Sequence, residues 1–191
     1  STAEPTALPT HTPTTPTPSV GLPIYRLHMF ADGSGWAFNS NQSALYHTTN
    51  GGLSWFPVYP SAGGTLQGGS VDGFFLDGST AWLSLSDYAM ETSSILHSTD
   101  AGATWSETPL TFLGGTLFFL DSNTGFMLSR LGAGAGSDWV AVYATTDAGQ
   151  TWEQRFTNTP GGEEPSLPAG GIKSGFTFLY ALNGWISGSE P

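Results

Sequence analysis

His47 and His97 are the residues whose type and placing first suggest chemistry. Each stands directly before an octapeptide of the form Ser/Thr-x-Asp/Asn-x-Gly-x-Ser/Thr-Trp. Imidazole is a common zinc ligand, but a shared ion needs its ligands in one coordination sphere. Equivalent positions of successive repeats stand a repeat's width apart, and the third octapeptide has Ala144 in that place. The two histidines therefore read as periodic strand residues, and no metal or cofactor site is expected. Asp100 and Asp147 lack the D-x-[DN]-x-[DN]-G spacing of a calcium loop. The Gly-Ala alternation over 132–136 lacks the Lys-Ser/Thr end of a phosphate loop and reads as a flexible hairpin tip. Glu163 and Glu164, set in Pro-Gly-Gly-Glu-Glu-Pro, read as a solvated loop. The absence of Cys removes thiolate ligands, Cys nucleophiles and disulfides together.

The elements that would position these side chains repeat along the chain. The octapeptide occurs at Thr48 to Trp55, Ser98 to Trp105 and Thr145 to Trp152, with Trp-to-Trp spacings of 50 and 47. Between the copies runs a second element, from Phe30 to Trp36, Phe75 to Trp82 and Phe119 to Phe126, with a fourth copy from Phe178 to Trp185. Each unit reads as four short strands. The first ends at the Phe, the second opens with the Trp or Phe, the third precedes the octapeptide and the fourth carries Trp55, Trp105 or Trp152. Units of about 45 residues with four strands apiece are the mark of propeller blades. Within the octapeptide, Asn50, Asp100 or Asp147 is expected to accept backbone N–H groups two residues on. Gly52, Gly102 and Gly149 supply a positive φ, and the Trp plugs its blade.

Composition narrows the function. Charged residues are 10% of the chain while aromatics are 13%, so most of it should fold. A formal charge of −11 with four Lys+Arg argues against nucleic-acid partners and anionic lipid surfaces. No apolar run is long enough to cross a bilayer. Residues 1–20, rich in Pro and Thr, are predicted to be a disordered tether. Together with a start at Ser rather than Met, this suggests an exported, extracellular or cell-envelope protein with a lipid anchor upstream of the tether.

The octapeptide resembles the Asp-box, or bacterial neuraminidase repeat, of sialidases. The combined pattern over residues 24–188 is most similar to the photosystem II stability/assembly factor family of propellers and its bacterial relatives. The resemblance implies an all-β propeller of four-stranded antiparallel blades, with the octapeptides as structural turns on its periphery. Some 3.5 blades are predicted, at 24–58, 71–108 and 115–156 and, in part, 174–191. Such a ring is incomplete. Either the chain continues past Pro191, the favoured reading, or two copies close one ring as a homodimer.

Successive turns of such blades alternate between two faces. The elements of constant length share one face, and all the length variation falls on the other. Binding residues concentrate on variable loops held by a rigid scaffold. That face, with loops at 39–43, 59–70, 86–93, 107–115, 130–138 and 157–174, is the candidate binding face, carrying Asp87, Tyr88, Glu91, Arg130, Asp138, Glu163 and Glu164. The sialidase resemblance also implies a three-arginine site with a Tyr/Glu pair. This chain has only Arg26, Arg130 and Arg155, and Arg155 belongs on an outer strand. No catalytic residue is assigned. The expected function is a non-catalytic interaction module for a protein or glycan; the alternative is a sialidase-type glycoside hydrolase.

Overall fold

The structure, a computed structural model, describes residues 23–59, 69–87, 91–134, 136–159, 167 and 170–189. The tether, Tyr88, Glu163 and Glu164 lie outside the described residues. Among the described residues fourteen strands form four antiparallel sheets. The first holds β1 (Ile24–Met29), β2 (Gly35–Asn39), β3 (Leu45–Thr48) and β4 (Phe56–Tyr59). The second holds β5 (Gly69–Phe75), β6 (Ala81–Asp87), β7 (Thr92–Ser98) and β8 (Ser106–Leu110). The third holds β9 (Gly115–Phe119), β10 (Gly125–Gly134), β11 (Ser137–Thr145) and β12 (Glu153–Thr157). The fourth has two strands, β13 (Ile172–Tyr180) and β14 (Asn183–Ser189). In each sheet the strands follow chain order, so the fold is an all-β propeller of four blades that does not close into a ring. Among the described residues no helix is long and apolar enough to cross a membrane.

The core lies between sheets. Trp36, Phe38 and Leu45 of the first sheet pack on Phe75, Ala81, Leu83, Leu85 and Leu96 of the second. Trp82 and Ile95 meet Leu117, Phe119 and Met127 of the third, and Leu128, Val140 and Val142 meet Phe176, Phe178 and Ile186 of the fourth. Face-to-face packing of this kind buries both faces of a central strand; β6 is accordingly buried from Ala81 to Ser86.

The two sequence elements meet across these interfaces. The aromatic that opens each second strand stacks on the Phe near the end of the next sheet's first strand. The pairs are Trp36 on Phe75 (ring centroids 5.3 Å), Trp82 on Phe119 (3.8 Å) and Phe126 on Phe178 (3.5 Å), all within 10° of parallel. Trp105 reaches back to the first sheet and donates its indole N–H to the Val58 carbonyl at 3.0 Å. Trp152 likewise packs on the cluster of Trp82 and Ile95. Trp105 and Trp152 thus join two sheets, while each also donates its indole N–H to the Gly carbonyl of its own octapeptide, at 3.1 and 3.0 Å. The octapeptide Trp also precedes its fourth strand by one residue instead of lying in it, since that strand opens at Phe56, Ser106 or Glu153.

The octapeptide turn differs from the expected Asx turn. Ser98 Oγ, not the Asp100 carboxylate, accepts the N–H groups of Asp100 (3.4 Å) and Gly102 (2.9 Å), and it donates to Asp100 Oδ1 at 2.9 Å. Asp100 instead closes a wider loop, accepting the Thr104 N–H at 2.9 Å and its hydroxyl at 2.6 Å. Asp147 repeats this with Thr145 and Thr151. Asn50 keeps the backbone bond to Ser54, but its amide donates to the Ser54 hydroxyl, reversing that contact. True Asx turns occur in the other element. Asp32 accepts the Ser34 N–H, Asp77 those of Ser79 and Thr80, and Asp121 those of Asn123 and Thr124.

Gly52, Gly102 and Gly149 have the positive φ that the pattern demands, and so, unexpectedly, do Ala101 and Ala148 at +59° and +61°. The N–H groups of Gly51, Ala101 and Ala148 donate to the carbonyls of Gly33, Ser79 and Asn123. The turns of constant length therefore share one face.

His47 donates its Nε2–H to the Gly78 carbonyl at 2.7 Å, whereas His97 lies flat on Trp82 at 4.6 Å with its Nε2 buried and unbonded. Gly132 and Gly134 belong to β10 and pair with Trp139 and Ser137 of β11, so the 130–138 "loop" is a paired hairpin.

Candidate functional site

The first strands adjoin one another, β5 against β9 and β9 against β13, and line the inner side of the arc. They start at the variable face, and two cavities lie there. One, about 190 Å³, sits between the Asn41–Ser43 turn, Tyr59 and the start of β5. Burial, followed by the nearby Glu107 charge, pushes the Tyr59 hydroxyl above its ordinary pKa. At neutral pH it is therefore a hydrogen-bonding phenol rather than a phenolate. The other cavity, about 200 Å³, opens where three inner strands meet and is lined by residues that include Asp72, Ser84, Gly114, Arg130 and Lys173.

Ser84 lines this second cavity, and a group of buried serines holds the 113–115 segment that forms one of its walls. Ser84, Ser86, Ser93 and Ser129 are buried at positions where apolar side chains would otherwise pack. Ser84 Oγ accepts the Gly115 N–H at 3.0 Å and Ser93 Oγ the Gly114 N–H at 3.1 Å, while Ser129 Oγ donates to the Leu113 carbonyl at 2.6 Å. They satisfy the backbone of the 113–115 connection, which would otherwise be buried without partners. A Cβ on Gly114 would collide with the Ser84 and Ser86 hydroxyls.

Two ion pairs frame the opening. Arg26 Nη1 meets Asp72 Oδ1 at 2.6 Å, and Asp72 Oδ2 accepts the Leu117 N–H at 3.0 Å, so one carboxylate ties the first strands of three sheets together. Arg130 Nη2 donates to the Lys173 carbonyl at 2.8 Å and lies 3.8 Å from Asp138 Oδ2. Asp138 is buried and accepts the Lys173 N–H at 3.1 Å, while Lys173 turns its ammonium onto the carbonyls of Gly170 and Gly171. Asn158 completes this lock, accepting the Val140 N–H at 2.7 Å and donating to the Asp138 carbonyl at 2.9 Å. The Arg130 side chain remains 61% exposed. A guanidinium has five donors, so its outer fork faces solvent at the cavity.

Of the residues chosen from sequence for the variable face, the structure brings Arg130 and Asp138 together. Asp87 ends β6, opposite Gly69 and Thr92, and Glu91 sits exposed in the following turn at φ +52°. Neither is among the residues lining these two cavities. Sequence reasoning passed over Asp72, Asn158 and the serines. Asp72, a lone charge in the Gly-Ser-Val-Asp-Gly-Phe-Phe strand, was the available signal. Arg155 lies on the outer strand β12, paired with Glu153 at 3.0 Å. Two of the chain's four cations, Arg130 and Lys173, thus line the inner opening, and a third, Arg26, pairs with the lining residue Asp72.

No family model matches the chain, and no curated protein matches it. Solved structures do. A structure of YCF48 bound to D1 peptide is similar at 22% identity and a TM-score of 0.51, over 71% of this chain and 41% of that one. The GH74 enzyme of Niastella koreensis is similar at 18% identity and a TM-score of 0.50, over 83% of this chain and 24% of the enzyme. The chain spans less than half the length of either neighbour. At these identities the likeness is one of fold, a propeller shared with YCF48 and with the GH74 enzyme.

Proposed function

We propose that the chain is a non-catalytic interaction module that binds a protein segment through its variable face, with Arg130 receiving a carboxylate. The observation that carries this is that two of the four cations, Arg130 and Lys173, line a 200 Å³ cavity in a chain of net charge −11, with Arg130 exposed there. The peptide bound to the YCF48 neighbour supports the same reading. The hydrolase reading finds less support. The two carboxylates at the opening are engaged by Arg26 and the Leu117 N–H in one case, and by the Lys173 N–H in the other. Composition alone supports the accompanying reading of residues 1–20 as the tether of an exported, lipid-anchored protein.

The test uses an end-labelled, Asp/Glu-rich decapeptide with a free C-terminal carboxylate, followed by fluorescence anisotropy. Binding should weaken about tenfold in Arg130→Ala and stay unchanged in Arg155→Ala. Equal loss in both variants, or no binding by the wild type, would overturn the reading. So would release of fluorophore from a fluorogenic sialoside that Arg26→Ala abolishes.

A further inference from the structure

The outer edge of β14 matches a position that is covered in every other sheet. In the three full sheets the residue before the opening aromatic faces the first Ser/Thr of the octapeptide. Gly35 faces Thr48, Ala81 faces Ser98 and Gly125 faces Thr145. The aromatic itself faces the residue before the octapeptide: Trp36 meets His47, Trp82 meets His97 and Phe126 meets Ala144. In the fourth sheet Gly184 pairs with Phe178 as Ala81 pairs with Phe75, which puts Trp185 in the aromatic's place. Yet among the described residues β14 has only β13 beside it. Trp36, Trp82 and Phe126 are 0%, 0% and 3% exposed, whereas Trp185 is 59% exposed.

Two more features repeat there without their partners. The carbonyls of Gly33, Ser79 and Asn123 each accept the N–H of the fourth octapeptide residue. The equivalent residue of the fourth sheet is Leu182, 93% exposed. On the first sheet, Val58 is the extra residue of a bulge between β3 and β4, and its carbonyl receives the Trp105 indole from the next sheet. The same bulge recurs between β11 and β12, with Arg155 as the extra residue. Trp105 also donates to its own Gly102 carbonyl at 3.1 Å; the β7–β8 pair has no bulge, and there Trp152 keeps the equivalent bond to Gly149 at 3.0 Å. By register Phe156, 36% exposed, stands where Tyr59 packs edge-on against Trp105 at 6.2 Å.

We infer that this edge is a docking site for a β-hairpin of the form strand–octapeptide–strand. The hairpin's first strand adds to β14, with the leading Ser/Thr opposite Gly184 and the residue before it over Trp185. Its fourth octapeptide residue donates to the Leu182 carbonyl. Its Trp packs on Phe156 and gives its indole N–H to the Arg155 carbonyl. The backbone ladder supplies affinity, and the Trp slot supplies selection for this motif over other edge-binding strands. The three internal interfaces name this occupant, because each puts the same hairpin on the same edge in one register.

A synthetic peptide of residues 137–159, which has this form, tests the site. It is added to the full chain at a dilution where light scattering shows a monomer, and amide hydrogen exchange is read. Saturable protection of alternate amides in 183–189 is expected, as an antiparallel partner gives. Peptides carrying Trp152→Ala or Asp147→Ala should bind about tenfold more weakly. No protection of β14 would overturn the inference, as would protection indifferent to the Trp substitution. So would β14 amides already protected before peptide is added, since a second copy would then hold the edge.

Discussion

Trp82 and Phe119 lie 3.8 Å apart and 10° from parallel, across the boundary between two sheets. They come from successive copies of one repeat element, the aromatic that ends one copy and the Phe that begins the next, so this one contact explains why that element recurs from sheet to sheet. Phe119 is 2% exposed. Its replacement by Ala should cost roughly 3–5 kcal/mol by cavity formation, and Phe119→Leu clearly less. Urea unfolding with near-ultraviolet circular dichroism of the Trp region checks both; equal, small losses would remove the stack from the list of things that hold the sheets together.

Neighbouring positions of the second octapeptide should respond oppositely to a single methyl. Ala101 holds φ +59°, a region costing an L-residue about 1 kcal/mol. Ala101→Gly should therefore be neutral or stabilising by up to about 1 kcal/mol, offset by the extra freedom of the unfolded chain. Gly102→Ala places a Cβ 2.8 Å from the Val58 Cβ and 3.2 Å from the Trp36 ring. It should lose about 1–3 kcal/mol by overpacking alone. Thermal melts of the pair decide this.

Acid should unfold the protein in two stages. Burial lowers the pKa of His47, and the Gly78 contact only partly opposes it; burial alone lowers that of His97. A lowered histidine contributes stability that is full above its ordinary pKa of about 6.5 and falls as pH drops toward the folded value. The carboxylates follow. Burial works against ionisation of Asp100 and Asp147, but the bonds from Thr104 and Ser98, or Thr151 and Thr145, outweigh it and hold both below the usual range. Their contribution is complete above about pH 4 and is lost below it. His97→Phe removes an unbonded buried nitrogen and should flatten the first stage, measured as melting temperature against pH, leaving the second in place.

The Asp72 carboxylate should matter more than its salt bridge. Arg26 is half-exposed, so Arg26→Ala is expected to cost under about 1 kcal/mol. Asp72→Ala also leaves the Leu117 N–H without its acceptor, and should cost about 1–3 kcal/mol. Asp72→Asn, which keeps an acceptor, should fall between them in urea titrations.

The sheet count was legible because both repeat elements are local turns whose hydrogen bonds close within a few residues. Asp77 and Asp121 bond their own neighbours, and Gly102 carries its φ wherever the chain goes. What was not legible is which sheet each side chain serves. Trp105 looks like an anchor of its own repeat until Val58 is seen to hold its indole. Ser98 and Asp100 both look like acceptors of nearby N–H groups, and only the turn's width assigns each its own. Around the cavity the difficulty is greater. Arg130 and Asp138 could be named from their place in the chain, but their common partner is the backbone of Lys173, which no side-chain pattern announces. Asn158 and Asp72 act across strands and sheets far apart in sequence.

Each sheet leaves its aromatic face to be finished by the one after it: Trp36 waits for Phe75, and Val58 for Trp105. On a ribosome, therefore, every sheet emerges with a Trp or Phe uncovered and gains its cover only when about 45 further residues have left the tunnel. Assembly then proceeds with a lag of one repeat, and a pause at any octapeptide strands the sheet before it rather than the one being made.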